Sequence, residues 1–240
     1  VGLGIPGFSS RETGFVTNAN SMWLNDKPFK KDLETALKRE VKLMNDANCF
    51  TLSEAVDGAG KDYQSIFGII VGTGFGGALS YKKEIIEGAN QIAGDWGHQP
   101  LPYPTKEEIE TKINCPSMNC GRPLCAEQFM SGIGFKDLFN QKYNKNFSSE
   151  EIVQLDLDGD PRANLELSVY DGRMAILLAV MIGIFDPDAI ILGGGMSNIN
   201  RLYENIPVLI PKYTFSNKVI TKVIKNFHGD SSGVRGAAWL

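Results

Sequence analysis

Ser65-Ile66-Phe67-Gly68-Ile69-Ile70-Val71-Gly72-Thr73-Gly74-Phe75-Gly76-Gly77, running on into Ala78-Leu79-Ser80-Tyr81, is the stretch that decides the fold. Residues 65–71 form a β-rich apolar run that ends in glycines. Residues 78–81 have strand character again, before Lys82-Lys83-Glu84 and Ile85-Ile86. The order is strand, glycine turn, strand, turn, strand. A dinucleotide fingerprint needs a helix after the glycines, and a Walker loop needs Gly-Lys-Ser/Thr; neither follows. Glycines turn at positive φ and bring backbone N–H groups close to phosphate oxygens. The run therefore reads either as a hairpin that holds phosphates or as a tight structural turn.

Upstream, residues 1–5 read as a strand ended by Pro6-Gly7, and 13–20 as loop. Residues 30–39 read as a short amphipathic helix with Leu33 and Leu37 on one face, after Pro28. Val41 and Leu43 form a short strand that runs into Asn45-Asp46, and 47–55 read as a helix. The polar stretch 57–64 is the best candidate hinge. Downstream, 99–125 are rich in loop and proline, and 127–139 read as one helix. A further helix starts near Ser148, with serine as cap and acids in the first turn. Pro161–Phe185 reads as one long helix. Then come a strand (189–192), the turn Gly193-Gly194-Gly195, a helix (199–209), a strand (219–224) and a closing helix (233–240). Hairpins beside strand-helix units predict an α/β fold with a mixed sheet.

The chain has 240 residues, 42% hydrophobic and 22% charged, enough for one large domain or two small ones. A net charge of −4 and a pI near 5.3, with no basic block, argue against nucleic acid as a partner. No apolar run reaches the roughly 18 residues needed to span a bilayer. The longest, 174–185, is broken by Gly183 and reads as a buried helix, so no membrane partner is expected. The opening Val1-Gly2-Leu3-Gly4-Ile5 has no initiator Met and reads as a strand already inside a fold, so an amino-terminal piece is expected ahead of it.

Three of the four cysteines, Cys115, Cys120 and Cys125, fall within eleven residues, after His98 and before Glu127. One imidazole and three thiolates make a tetrahedral zinc set, and a cytosolic setting keeps such thiols reduced. Asp95 and Glu127 flank that set; they read either as solvated acids or as carboxylates that accept hydrogen bonds from sugar hydroxyls. Asn45-Asp46 reads either as a helix cap or as a general base at a cleft rim, taking a proton from a hydroxyl that attacks phosphorus. Gly193-Gly194-Gly195 reads either as an ordinary connection or as a turn against which adenosine lies. His228 is expected in a loop without a partner set, and Cys49 as a small buried hydrophobe.

In this order the pieces resemble the ROK sugar kinases, nearest their bacterial fructokinase/mannokinase branch. The matching segments include Asn18-Ala19-Asn20, Asn45-Asp46-Ala47, Gly72-Thr73-Gly74, Gly94-Asp95-Trp96-Gly97-His98, Cys125-Ala126-Glu127 and Leu192-Gly193-Gly194-Gly195. They span nearly the whole chain. The resemblance implies an actin-like, hexokinase-like (ribonuclease H-like) α/β fold. Two domains, 1–62 and 63–240, hold sugar and ATP in the cleft between them, and the last helix packs back on the small domain. It implies Asp46 as base for the sugar 6-hydroxyl and Asn45, Asp95, His98 and Glu127 as sugar contacts, with Asn18 and Asn20 in a loop that closes over the sugar. It assigns the nucleotide to Gly72, Thr73, Gly74, Gly76, Gly193, Gly194 and Gly195, with Mg²⁺ accompanying ATP. Structural zinc falls to His98, Cys115, Cys120 and Cys125. A cytoplasmic homodimer is implied.

Departures from the family pattern are Met118 where a cysteine is usual, Leu124 where glycine is usual, and Asp95 in place of glutamate. The family's first phosphate loop, Asp-x-Gly-Gly-Thr, does not occur ahead of the segment matching Val1, so the chain alone is expected to turn over poorly. The expected activity is hexose phosphorylation, with fructose or mannose preferred. The alternatives are an N-acetylhexosamine or glucose kinase, a sugar-responsive repressor of the same superfamily, and a zinc-stabilised binding module.

Overall fold

The structure, a computed structural model, describes residues 1–111, 114–116, 120–216 and 218–240. The chain opens with β1 (Gly2–Ile5), then a short antiparallel hairpin of β2 (Phe8–Ser9) and β3 (Val16–Thr17). Helix α1 (Phe29–Leu37) and β4 (Lys42–Asn45) follow; β4 lies parallel to β1, with Ile5 opposite Asn45. Helix α2 (Asp46–Val56) starts on the next residue, with Asn45 as its cap.

Strand β5 (Ser65–Val71) folds back onto β6 (Phe75–Tyr81) in unbroken register, from Ser65 opposite Tyr81 to Val71 opposite Phe75. Only Gly72, Thr73 and Gly74 form the turn. Lys82 and Lys83, both at positive φ (52° and 66°), then turn the chain into β7 (Glu84–Ile86), the backbone pattern that suits two-residue hairpins. Helix α3 (Lys106–Ile109) lies in the proline-rich stretch, and α4 (Ala126–Met130) and α5 (Gly132–Tyr143) follow.

The single helix expected over 127–139 is thus two. Ser131, extended at ψ 155°, ends α4 and caps α5 by accepting the Gly134 N–H at 3.0 Å. A Cβ at Gly134 would overlap the Gln128 carbonyl, so the sharp junction requires glycine there. Helix α6 (Ser149–Leu157) opens on a Ser148/Glu151 capping box. Helix α7 (Pro161–Phe185) runs from the Asp160 cap to Asp186, which takes the left-handed conformation at φ 48°. The rest is β8 (Ala189–Gly193), α8 (Arg201–Leu209), β9 (Lys222–Lys225) and α9 (Ser232–Ala238). Strand β9 is shorter than the expected 219–224.

The main sheet has the order β7-β6-β5-β8-β9, with β5, β8 and β9 parallel and the β6 and β7 pairings antiparallel. Its central strands are buried on both faces, which explains their nearly continuous apolar sequence. The two-residue period sorts the side chains. Phe67, Ile69, Val71, Ile190 and Leu192 face the core built with α4 to α8, while Ile66 and Ile191 face Phe50 and Ala55 of α2. Helix α7 is apolar and long enough to cross a membrane by length and composition alone, but 56% of its apolar window is buried inside this core. Helix α2 packs on β5 and β6 and also against α9, which returns to β1. The approach is close: a Cβ on Gly68 would overlap Thr51, and one on Gly236 would overlap the Cys49 carbonyl.

The stretch 57–64 is held at both ends. Ala59 N–H donates to Glu54 at 2.8 Å, and Gln64 N–H to Asp188 at 3.0 Å. His228, expected in a loop without a metal-ligand set, places Nε2 2.9 Å from Asp57, which also pairs with Arg235. The partner was not visible because 171 residues separate the two.

Candidate active site

The β4–α2 junction is built by its own caps. Asn45 accepts the N–H groups of Ala47 (2.9 Å) and Asn48 (3.3 Å), satisfying donors that a helix start leaves free. Its Nδ2 donates to the Gly7 carbonyl at 3.1 Å. A Cβ at Gly7 (φ 73°) would overlap Thr17 and crowd Ala19, so this glycine brings the loop bearing Asn18 and Asn20 beside Asn45. Both asparagines are exposed, flanking the buried Ala19, which Asn25 grips through its N–H and carbonyl (2.9 and 3.0 Å). Asp46, first in α2, stands at the end of the parallel pair.

Trp96 presents the second element. Its ring is buried between Phe67 and Phe75, with centroids 5.0 Å from each. Gly94 (φ 87°) and Gly97 lie so close to β6 that a Cβ at either would overlap its backbone. This anchorage leaves Asp95 exposed, within reach of Asp46, and His98 half-buried against the cysteines. Solvent reaches both Asp46 and Asp95, yet the surrounding protein strips enough water to raise both carboxyls above the usual range. The charge of Asp95 adds to the shift of Asp46, and that of Glu127 adds to the shift of Asp95; His98 and Arg122 oppose the latter. Three acids therefore converge. Behind them Cys49 is fully buried, as expected, and burial together with Asp46 pushes its thiol up to about 12.

The ligating atoms of His98, Cys115, Cys120 and Cys125 lie within 4.8 Å of one another. Cys125 Sγ is 3.4 Å from Cys115 Sγ and 3.6 Å from His98 Nδ1. Four such donors at Zn–S and Zn–N lengths of about 2.3 and 2.0 Å surround one tetrahedral ion, so the donor set fits zinc. Cys125 caps α4, and the N–H groups of Ala126 and Glu127 are taken by the carbonyls of Gln99 (2.9 Å) and Gly97 (2.8 Å). Leu124 sits at φ 55°, a left-handed conformation that glycine adopts freely and that costs another residue roughly 1–2 kcal/mol. Met118 lies outside the described residues.

The two glycine turns meet. Gly72, Thr73, Gly195 and Met196 line a cleft of about 550 Å³ with Gly132 and Ile133 of α5 and Ser149 and Glu150 of α6. Gly132 N–H donates to the Gly72 carbonyl at 2.7 Å, and Ser149 Oγ to the Gly132 carbonyl at 2.7 Å, which fixes these walls to one another. Gly76 lies within β6 opposite Ile70, outside the turn. Gly193 is packed on the Phe50 ring and Gly194 (φ 82°) on the Val71 backbone, so close contact requires glycine at both. The walls from α5 and α6 escaped the sequence reading. Ser131 followed by Gly132 and Gly134 was the available signal.

The model of the family described as "ROK family" matches residues 1–240, and the chain belongs to the ROK family. Its architecture is the actin-like, hexokinase-like fold of that family. The chain is 39% identical over 240 residues to an N-acetyl-D-glucosamine kinase of Vibrio cholerae serotype O1, covering all of this chain and 80% of that protein. It is similar to the crystal structure of a ROK hexokinase from Thermus thermophilus (TM-score 0.84, 26% identity), over 99% of this chain and 76% of that one. It also shares its fold with a ROK family glucokinase from Streptomyces griseus in complex with glucose and AMPPNP (TM-score 0.82, 24% identity; 99% and 80% covered).

Proposed function

We propose that this chain is an ATP-dependent sugar kinase that transfers the γ-phosphoryl group to the 6-hydroxyl of N-acetyl-D-glucosamine. The observation that carries the reading is the convergence of Asp46, Asp95 and Glu127, whose charges act on one another, with Glu127 bonded to the Phe75 N–H beside the turn that lines the cleft at Gly72 and Thr73. Asp46 accepts the proton of the attacking hydroxyl; its raised carboxyl lies nearer neutral pH, where a base combines ionisation with proton affinity. Asp95, Glu127 and His98 hold ring hydroxyls, Asn45 holds the sugar beside the base, and Asn18 and Asn20 close over it. Gly72, Thr73 and Gly74 offer backbone N–H groups to the phosphates, and the turn at 193–195 borders the adenosine. Mg²⁺, bound with ATP, neutralises phosphate charge. His98, Cys115, Cys120 and Cys125 hold a structural zinc that sets Asp95 and Glu127 in register.

The choice of sugar rests on the Vibrio relative's name and identity, which favour N-acetyl-D-glucosamine over the fructose or mannose expected from the motifs. Asp95, one methylene shorter than the family's usual glutamate, stands where sugar preference is set. A cytoplasmic homodimer completes the proposal. The test is ADP release by the full-length protein with Mg-ATP and N-acetyl-D-glucosamine, glucose, fructose or mannose. The highest kcat/KM is expected for N-acetyl-D-glucosamine. A higher value for fructose or mannose would move the choice of sugar, and no release with any of them would remove the kinase reading.

A further inference from the structure

Glu127 is buried in the first turn of α4, and its two oxygens serve different parts of the site. Oε2 accepts the backbone N–H of Phe75 at 3.1 Å, and Phe75 is the residue on which β6 begins after the Gly72–Gly74 turn. A Cβ built on Gly74 would lie 3.1 Å from the same oxygen. Oε1 lies 3.5 Å from Cys115 Sγ, and the carboxylate's charge reaches Asp95 on the sugar side. Among the described residues the turn is also tied by the Gly72 N–H to the Gly74 carbonyl at 3.0 Å and by the Gly132 N–H to the Gly72 carbonyl at 2.7 Å. Its β5 end is thus tied to α5, and its β6 end to Glu127.

We infer that Glu127 is a positioning residue for the phosphate turn, and that through it sugar binding and nucleotide binding are energetically coupled. This rests on the proposed sugar site. A sugar hydroxyl that draws on the carboxylate changes the oxygen left for the Phe75 N–H, and so changes where Thr73 and Gly74 present their own N–H groups. By linkage the effect is reciprocal: a phosphate that fixes the turn alters the carboxylate that the sugar meets. A side chain at Gly74 would press on the Glu127 carboxylate, which would have to give by a few tenths of an ångström. The φ of Gly74 is not in the left-handed region, and the nearest obstacle is the Glu127 carboxylate.

Two crossed titrations of the full-length protein test the coupling. Gly74→Ala places a methyl against Oε2 from the nucleotide side. It is expected to weaken N-acetyl-D-glucosamine binding about five-fold or more, measured calorimetrically without nucleotide. Glu127→Ala is expected to weaken binding of a Mg²⁺-complexed, non-hydrolysable ATP analogue by about the same factor without sugar, although residue 127 does not line the nucleotide cleft. Glu127→Gln keeps an acceptor for the Phe75 N–H and should restore most of that loss, which a role confined to sugar contact would not produce. Equal sugar affinity in wild type and Gly74→Ala overturns the coupling, as does unchanged nucleotide affinity in Glu127→Ala. If wild type binds no sugar at all, the proposed function fails first, and the nucleotide titration alone then judges whether Glu127 positions the turn.

Discussion

Glu54 anchors the far end of the helix that carries Asp46, and its removal should be felt throughout the fold. The residue is fully buried near the end of α2. Oε2 accepts the N–H groups of Ala59 (2.8 Å) and Phe227 (3.0 Å); Oε1 accepts that of His228 (3.2 Å) and the Ser232 hydroxyl (2.8 Å). These four bonds fasten α2 to the loop after it and to the segment leading into α9. Glu54→Ala removes the desolvation cost of the carboxylate together with its bonds, so the loss comes from the donors left behind. The buried Ser232 hydroxyl gives up a charged acceptor but keeps the Gly229 carbonyl 2.9 Å away, so it should lose about 1.5 kcal/mol. The three N–H groups belong to residues nearer the surface that water can reach, at roughly 0.5 kcal/mol each. The sum is about 3 kcal/mol. For a chain of this size each kcal/mol moves Tm by about 2–4 °C, so a fall of about 6–12 °C is expected by calorimetry. Glu54→Gln, which keeps one acceptor oxygen, should fall about half as far. A Glu54→Ala protein that melts within about 2 °C of wild type would show that these four bonds do not hold α2 in place.

Other outcomes follow from the same geometry. Asp46 must be ionised to act as base, so kcat/KM should fall as pH drops through its raised pKa. Asp95→Asn removes a neighbouring negative charge, lowers that pKa and should move the acid limb to lower pH, read from the pH–rate profile. Gly236→Ala forces a methyl against the Cys49 carbonyl between α9 and α2, and should cost about 1–3 kcal/mol in urea denaturation. Elemental analysis should find one zinc ion per chain, and Cys125→Ser should lose it along with thermal stability; metal-free wild type of unchanged Tm would remove zinc from the fold.

How much of this was legible in the sequence depends on the range of the interaction. The β5 hairpin could be read because a short β-rich apolar run and a glycine turn are local signals. Helix α7 could be read end to end because Asp160-Pro161 starts it and Asp186-Pro187 stops it. The β2–β3 hairpin was missed because each strand has only two residues. Helix α3 was missed because its Thr105/Glu108 capping box is hidden among prolines. At the site, residue types offered only paired alternatives, and it was the family resemblance that implied one cleft. The need for glycine at Gly193 and Gly194 lies in contacts with Phe50 and Val71, which only the folded chain brings near. Glu54 carried no signal, since its partners at 227, 228 and 232 are more than 170 positions away.

The most direct test of the account is Asp46→Asn in the full-length protein, with kcat for sugar phosphorylation and sugar Kd measured side by side. A well-placed general base contributes about 10²- to 10⁴-fold, so kcat should fall by that factor while Kd stays within about three-fold of wild type. Unchanged turnover would mean that the carboxylate at the head of α2 takes no part in the chemistry.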